Sequence, residues 1–221
     1  MRKAFTMLEL VIVIIVIGIL AVMAIPRLER DNLAEAVDQI VSHIRYTQHL
    51  AMQDNKFDPS EKDWHKKRWS IAFNEVNVCG SKEWRYSIYI DKSVSGNLNS
   101  ENEVAKDPQN PIKYMSAGWS GGESYCKNIT PKFNIGKTFG IQEVKFSDAC
   151  KDVQTISFDE FGRPMLSVST TKTGGGVGGA ERGYDRILKF GDICKITFAT
   201  QKKSAEITIA PETGFVSVKY N

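Results

Sequence analysis

The 221 residues carry 29 basic and 26 acidic side chains, a net charge of +3, so the chain has no strong overall field with which to steer a polyanion. Removing Met1–Ala4 takes away Arg2 and Lys3 and leaves 27 basic against 26 acidic side chains. The four cysteines lie 47, 24 and 44 residues apart, which excludes a compact metal-binding motif.

The stretch Phe5–Ile25 is uncharged except for Glu9. As a helix it would extend roughly 30 Å, the thickness of a bilayer's hydrocarbon core. Arg2 and Lys3 precede it with no acid nearby, so the positive-inside bias predicts a cytoplasmic N-terminus and an exported head. A cleaved signal peptide would have a shorter apolar core and a small-x-small cleavage site. A plain single-span anchor leaves Glu9 unexplained, since a carboxylate in hydrocarbon costs roughly 3 kcal/mol near the helix centre. Pro26 marks the expected outer boundary of the span.

The run Arg2, Lys3, Ala4, Phe5, Thr6, Met7, Leu8, Glu9, Leu10 and the aliphatic residues after it resemble the leader and N-terminal helix of type IV pilins and type II secretion pseudopilins. The resemblance implies cleavage by a prepilin peptidase/methylase between Ala4 and Phe5, methylation of Phe5, and an assembly role for Phe5 and Glu9. Ala4 stands where that family usually has glycine. Glu9 would pair with the amino terminus of a neighbouring copy and set the register of stacking. Implied partners are other pilins or pseudopilins, an inner-membrane assembly platform and membrane lipid.

Leu33, Val37, Ile40, Val41, Ile44 and Ala51 recur every three or four residues among polar neighbours, predicting an amphipathic helix to about Gln53 whose apolar face packs on the head. His43 and His49 are read as solvated or edge residues rather than ligands. Beyond residue 54 the period becomes strand-like, with candidate strands at 69–73, 84–90, 112–115, 141–146, 153–158, 186–190, 194–199, 205–209 and 215–220. The clearest signal is the hairpin Glu206–Val218, whose Gly214 can take a left-handed turn conformation. The stretches 55–67, 92–111 and 172–183 read as loops. The glycines at 174–176 and 178–179 lack the Gly-Lys-Ser/Thr ending of a phosphate loop.

Two further segments, Ile156–Pro164 and Ile207–Val216, resemble minor pseudopilins of the GspH and FimT types, with Phe215 standing where a basic residue is common. The expected fold is therefore α+β. A long N-terminal helix, half transmembrane and half amphipathic, packs on a β-rich head of two antiparallel sheets. The expected divisions are a leader at 1–4, a transmembrane helix at 5–26, an amphipathic helix at 27–53 and a periplasmic head at 54–221. The function implied is that of a minor pseudopilin or minor pilin in the inner membrane.

Cys79, Cys126, Cys150 and Cys194 fall in the exported portion and predict two disulfides. Three pairings are open, and loop closure alone leans toward Cys79–Cys126 and Cys150–Cys194. No nucleophile elbow, metal-ligand spacing or cofactor motif is present, so no catalytic or metal-binding residues are expected. Lys62, Trp64, Lys66, Lys67 and Arg68 interleave cations with aromatics near Trp69. That pattern suits phosphate contact and base stacking and supports an alternative reading as a DNA-binding minor pilin of a competence system.

Overall fold

The computed structural model describes residues 6–24, 31–54, 56–119, 123–151, 153–167 and 186–221. The chain divides into two compact units, residues 1–31 and 32–221. The first contains helix α1, Met7–Ala24. The second opens with α2, Asn32–Gln53, and continues as a β-rich unit.

The expected single long helix is corrected by these findings. α1 and α2 are separate elements, and the longer has 22 residues. Among the described residues no helix is long and apolar enough to cross a membrane. The predicted single-pass inner-membrane topology falls with that span, and its boundary at Pro26 lies outside the described residues.

In the second unit two open four-stranded antiparallel sheets form. One orders β2 (Ser81–Ile90), β1 (Trp69–Val78), β6 (Thr155–Phe158) and β7 (Pro164–Leu166). The other orders β10 (Val216–Tyr220), β9 (Ser204–Ile209), β8 (Cys194–Ala199) and β5 (Glu143–Asp148). A small hairpin, β3 (Lys106–Asp107) and β4 (Asn110–Tyr114), and a one-turn helix α3 (Ile135–Phe139) complete the unit. In the β9–β10 hairpin, Ile209 pairs with Val216. The segment 186–190 supplies one isolated bridge, Ile187 to Met165, in place of the expected strand.

α2 buries Leu33, Ala36, Val37, Ile40, Val41, Ile44, Thr47 and Ala51, a stripe at helical spacing. It packs on β1 and β6 of one sheet and on β8, β9 and β10 of the other. Aromatic rings join the sheets: Phe73 of β1 lies edge-on to Phe146 of β5 at 5.9 Å and to Phe198 of β8 at 5.6 Å, and stacks on Tyr86 of β2 at 5.4 Å. Such pairs contribute about 1 kcal/mol each beyond area burial.

Polar side chains of α2 fix its rotation. Gln48 donates to the carbonyls of Gly162 (2.8 Å) and Thr213 (2.9 Å), tying two turns to one helix position. Gly214, at φ +65°, is required here. A Cβ on it would lie 2.6 Å from Gln48 Nε2, closer than real Cβ atoms come, and 3.0 Å from the Gly162 carbonyl oxygen, a tight contact.

His43, expected at a solvated edge, sits instead in a half-buried network. Gln39 donates to the Lys132 carbonyl at 2.9 Å, which turns its amide nitrogen inward, and the same nitrogen donates to Tyr86 Oη at 2.7 Å. The Tyr86 hydroxyl is also hydrogen-bonded to His43 Nδ1, 2.7 Å away. Burial raises the pKa of the Tyr86 phenol, so it stays protonated and able to donate. His43 stacks on Phe133 with ring centroids 4.8 Å apart. Burial lowers its pKa from 6.5 to about 4, against a weaker opposing pull from Asp107.

Folding therefore favours neutral His43. Between about pH 6.5 and pH 4 the unfolded chain holds the extra proton, so stability is full above the upper value and falls as pH drops to the lower one. About 2 kcal/mol is at stake after allowing for partial solvation. Urea unfolding across this window should show that slope, and the slope should be absent from His43→Phe.

Candidate functional site

Two places carry the residues singled out in the sequence: the start of α1 and the segment that enters β1. At the first, Thr6 and Glu9 form a reciprocal cap. The Thr6 amide donates to Glu9 Oε2 at 3.0 Å, its hydroxyl to the same oxygen at 3.1 Å, and the Glu9 amide donates to Thr6 Oγ1 at 3.2 Å. This is the Ser/Thr-x-x-Glu capping box, with Thr6 as N-cap and Glu9 at the third helical position. A carboxylate there also faces the positive end of the helix dipole. Glu9 thus has a local role at the start of α1. Ala4 and Phe5 lie outside the described residues.

Beyond the cap, α1 is apolar on every side. Its large side chains from Met7 to Leu20 are 48% to 84% exposed.

At the second place, the polar stretch before β1 contains a 3-10 turn at Trp64–Lys66. Lys66 at the end of that turn, Arg68, and Ser70 within β1 are buried. Lys66 pairs with Asp63 at 2.7 Å and Lys67 with Glu61 at 2.6 Å. The Arg68 Nε donates to the His65 carbonyl at 3.0 Å. Trp64 meets Phe57 edge-on at 5.2 Å, and Lys62 remains exposed. A phosphate backbone approaching this face would meet Lys62 and a Lys67 already paired, with Lys66 and Arg68 turned inside.

Beneath that segment is a cavity of about 90 Å³. Ala51, Phe57, Trp64 and Phe158 form its apolar wall, with Lys56, Arg68 and several carboxylates at its polar side. Asp54, just past the end of α2, accepts from Trp69 Nε1 at 2.8 Å and lies 3.6 Å from Lys56 Nζ through the same oxygen. Asp159 closes the turn between β6 and β7, accepting from the Phe161 and Arg163 amides and, at 2.6 Å, from Arg163 Nε. Lys56 carries no signal in the sequence, because its surroundings come from segments about a hundred residues apart.

The disulfides join Cys79 to Cys126, Cα atoms 5.4 Å apart, and Cys150 to Cys194, 5.0 Å apart. The first ties the β1–β2 turn to the 3-10 turn ending at Cys126, and the second staples the end of β5 to the start of β8. Among the described residues no group of three or more His, Cys, Asp or Glu is placed to hold a metal ion. The glycine-rich run at 174–179 lies outside the described residues.

The chain matches no family model, no curated protein and no solved structure. With no match, separate short helices and no membrane-spanning helix among the described residues, the resemblance to pilins and pseudopilins is withdrawn. The minor-pilin function and the competence alternative go with it.

Thr6→Ala should cost α1 about 1 kcal/mol. Amide exchange at Leu8–Leu10 should then be roughly fivefold faster, with the amides of β1 and β9 unchanged. Equal exchange in both proteins would show that the cap does not hold the helix end.

Proposed function

We propose that the protein is non-catalytic and self-associates through α1. The observation that supports this is the apolar circumference of α1, on which no polar stripe breaks the run from Leu10 to Leu20. A helix of this kind is stable only when covered on all sides. A groove covers one face, whereas a bundle of like helices covers every face, and each fully buried Val, Leu or Ile contributes about 2 kcal/mol. The capping box serves the same end, because it satisfies the first-turn donors of α1 without an outside partner. In the head, charged side chains are engaged with one another, as in Arg163–Asp159, Lys195–Asp148 and Lys67–Glu61, an arrangement suited to a rigid body more than to proton transfer.

Cysteine placed at Ile15 of the full chain, in mild non-ionic detergent, tests the contact. Oxidation should give disulfide-linked dimers. Ile15→Lys should leave monomers in sedimentation, since a buried unpaired charge costs at least about 3 kcal/mol, or about a hundredfold in affinity. Absence of cross-linking from Ile12, Ile15 and Ile19 alike, with a monomeric full chain, would overturn the proposal and leave detergent or lipid as the cover of α1.

A further inference from the structure

The cavity beside β1 houses an amine whose setting differs from that of a surface lysine. We propose that Lys56 is a covalent carbonyl-binding site, its Nζ condensing with short aliphatic aldehydes that enter the cavity lined by Ala51, Phe57, Trp64 and Phe158.

Three features of the geometry support this. The Lys56 side chain is only 15% exposed, yet it lines an open space of about 90 Å³, room for a molecule of a few heavy atoms. Ala51, Phe57, Trp64 and Phe158 give the cavity an apolar side that can take a short alkyl chain. Nζ is ion-paired with Asp54 Oδ2 at 3.6 Å, longer than the 2.8 Å bond the same oxygen accepts from Trp69, and lies 5.9 Å from the centre of the Trp69 ring. A proton acceptor is therefore within reach of the amine.

The charged groups around Nζ come from each neighbouring segment. Asp54 beyond α2, through its charge and a hydrogen bond, and Glu160 after β6 favour the ammonium, and Arg68 before β1 opposes it; His65, Lys67 and Asp159 also line the cavity. Burial outweighs them and lowers the pKa of Lys56 to about 8. At pH 7 such an amine holds about three hundredfold more of its neutral, nucleophilic form than an ordinary lysine.

The chemistry balances without a further reagent. The neutral Nζ lone pair adds to the aldehyde carbon, and the carbonyl oxygen takes up a proton to give a carbinolamine. Loss of that oxygen as water forms the imine. Asp54 can accept the proton leaving nitrogen.

The test uses the full chain, limiting propanal and cyanoborohydride to trap the imine as a stable propyl-lysine, with peptide mapping by mass spectrometry from pH 6 to 11. Lys56 should be labelled at least about tenfold more than the exposed Lys62 at pH 7, with a half-maximum near pH 8. Labelling of Lys56 equal to or below that of Lys62 would overturn the proposal. So would a Lys56 profile that rises only above about pH 10, as for an ordinary lysine. Lys56→Arg controls the peptide assignment and should remove the preferential label.

Discussion

Burial of one face of α2 is the constraint on which the rest of the head depends. The helix is the element packed on both sheets, and its stripe from Leu33 to Ala51 supplies apolar surface to each. Tyr86 links the helix to the first sheet through Gln39 and His43, and Gln48 links it to the two turns at Gly162 and Thr213. The aromatic contacts of Phe73 with Phe146 and Phe198 then have a fixed frame in which to close. A rotation of α2 by one residue, about 100°, would expose the stripe and break these hydrogen bonds together.

α1 obeys a different rule. It has no polar face, and its single charged residue is used at its own N-terminus, where a carboxylate satisfies backbone donors and complements the helix dipole. Its apolar side chains are a demand for cover that its own compact unit does not supply. The division of labour proposed for the protein rests on this contrast between an amphipathic helix that completes a core and a wholly apolar one that recruits neighbours.

How far these features could be read from the residues differs from place to place. The spacing of Leu33, Val37, Ile40, Val41 and Ile44 coincides with the buried face of α2 because a three-to-four residue period is a direct projection of helix geometry. The β9–β10 hairpin was likewise visible in its alternation and in Gly214. Glu9 reads along the sequence as a charge in an apolar run, and the structure adds its place in the Thr6-x-x-Glu9 capping box. In the basic run 62–68 composition shows the charges but not their direction, and Lys66, in a 3-10 turn, and Arg68 are buried. His43 and Lys56 are not legible in the sequence because part of each environment, Phe133 and Tyr86 for one and Phe158 for the other, lies far along the chain.

Hydrogen exchange of the full chain over a dilution series tests most directly whether the two helices do different work. Amides of α2 should be protected to the level of global unfolding at every concentration, and those of α1 should lose protection as dilution separates the copies. Protection in α1 that does not change with concentration, or exchange of α1 and α2 as one cooperative unit, would contradict this account.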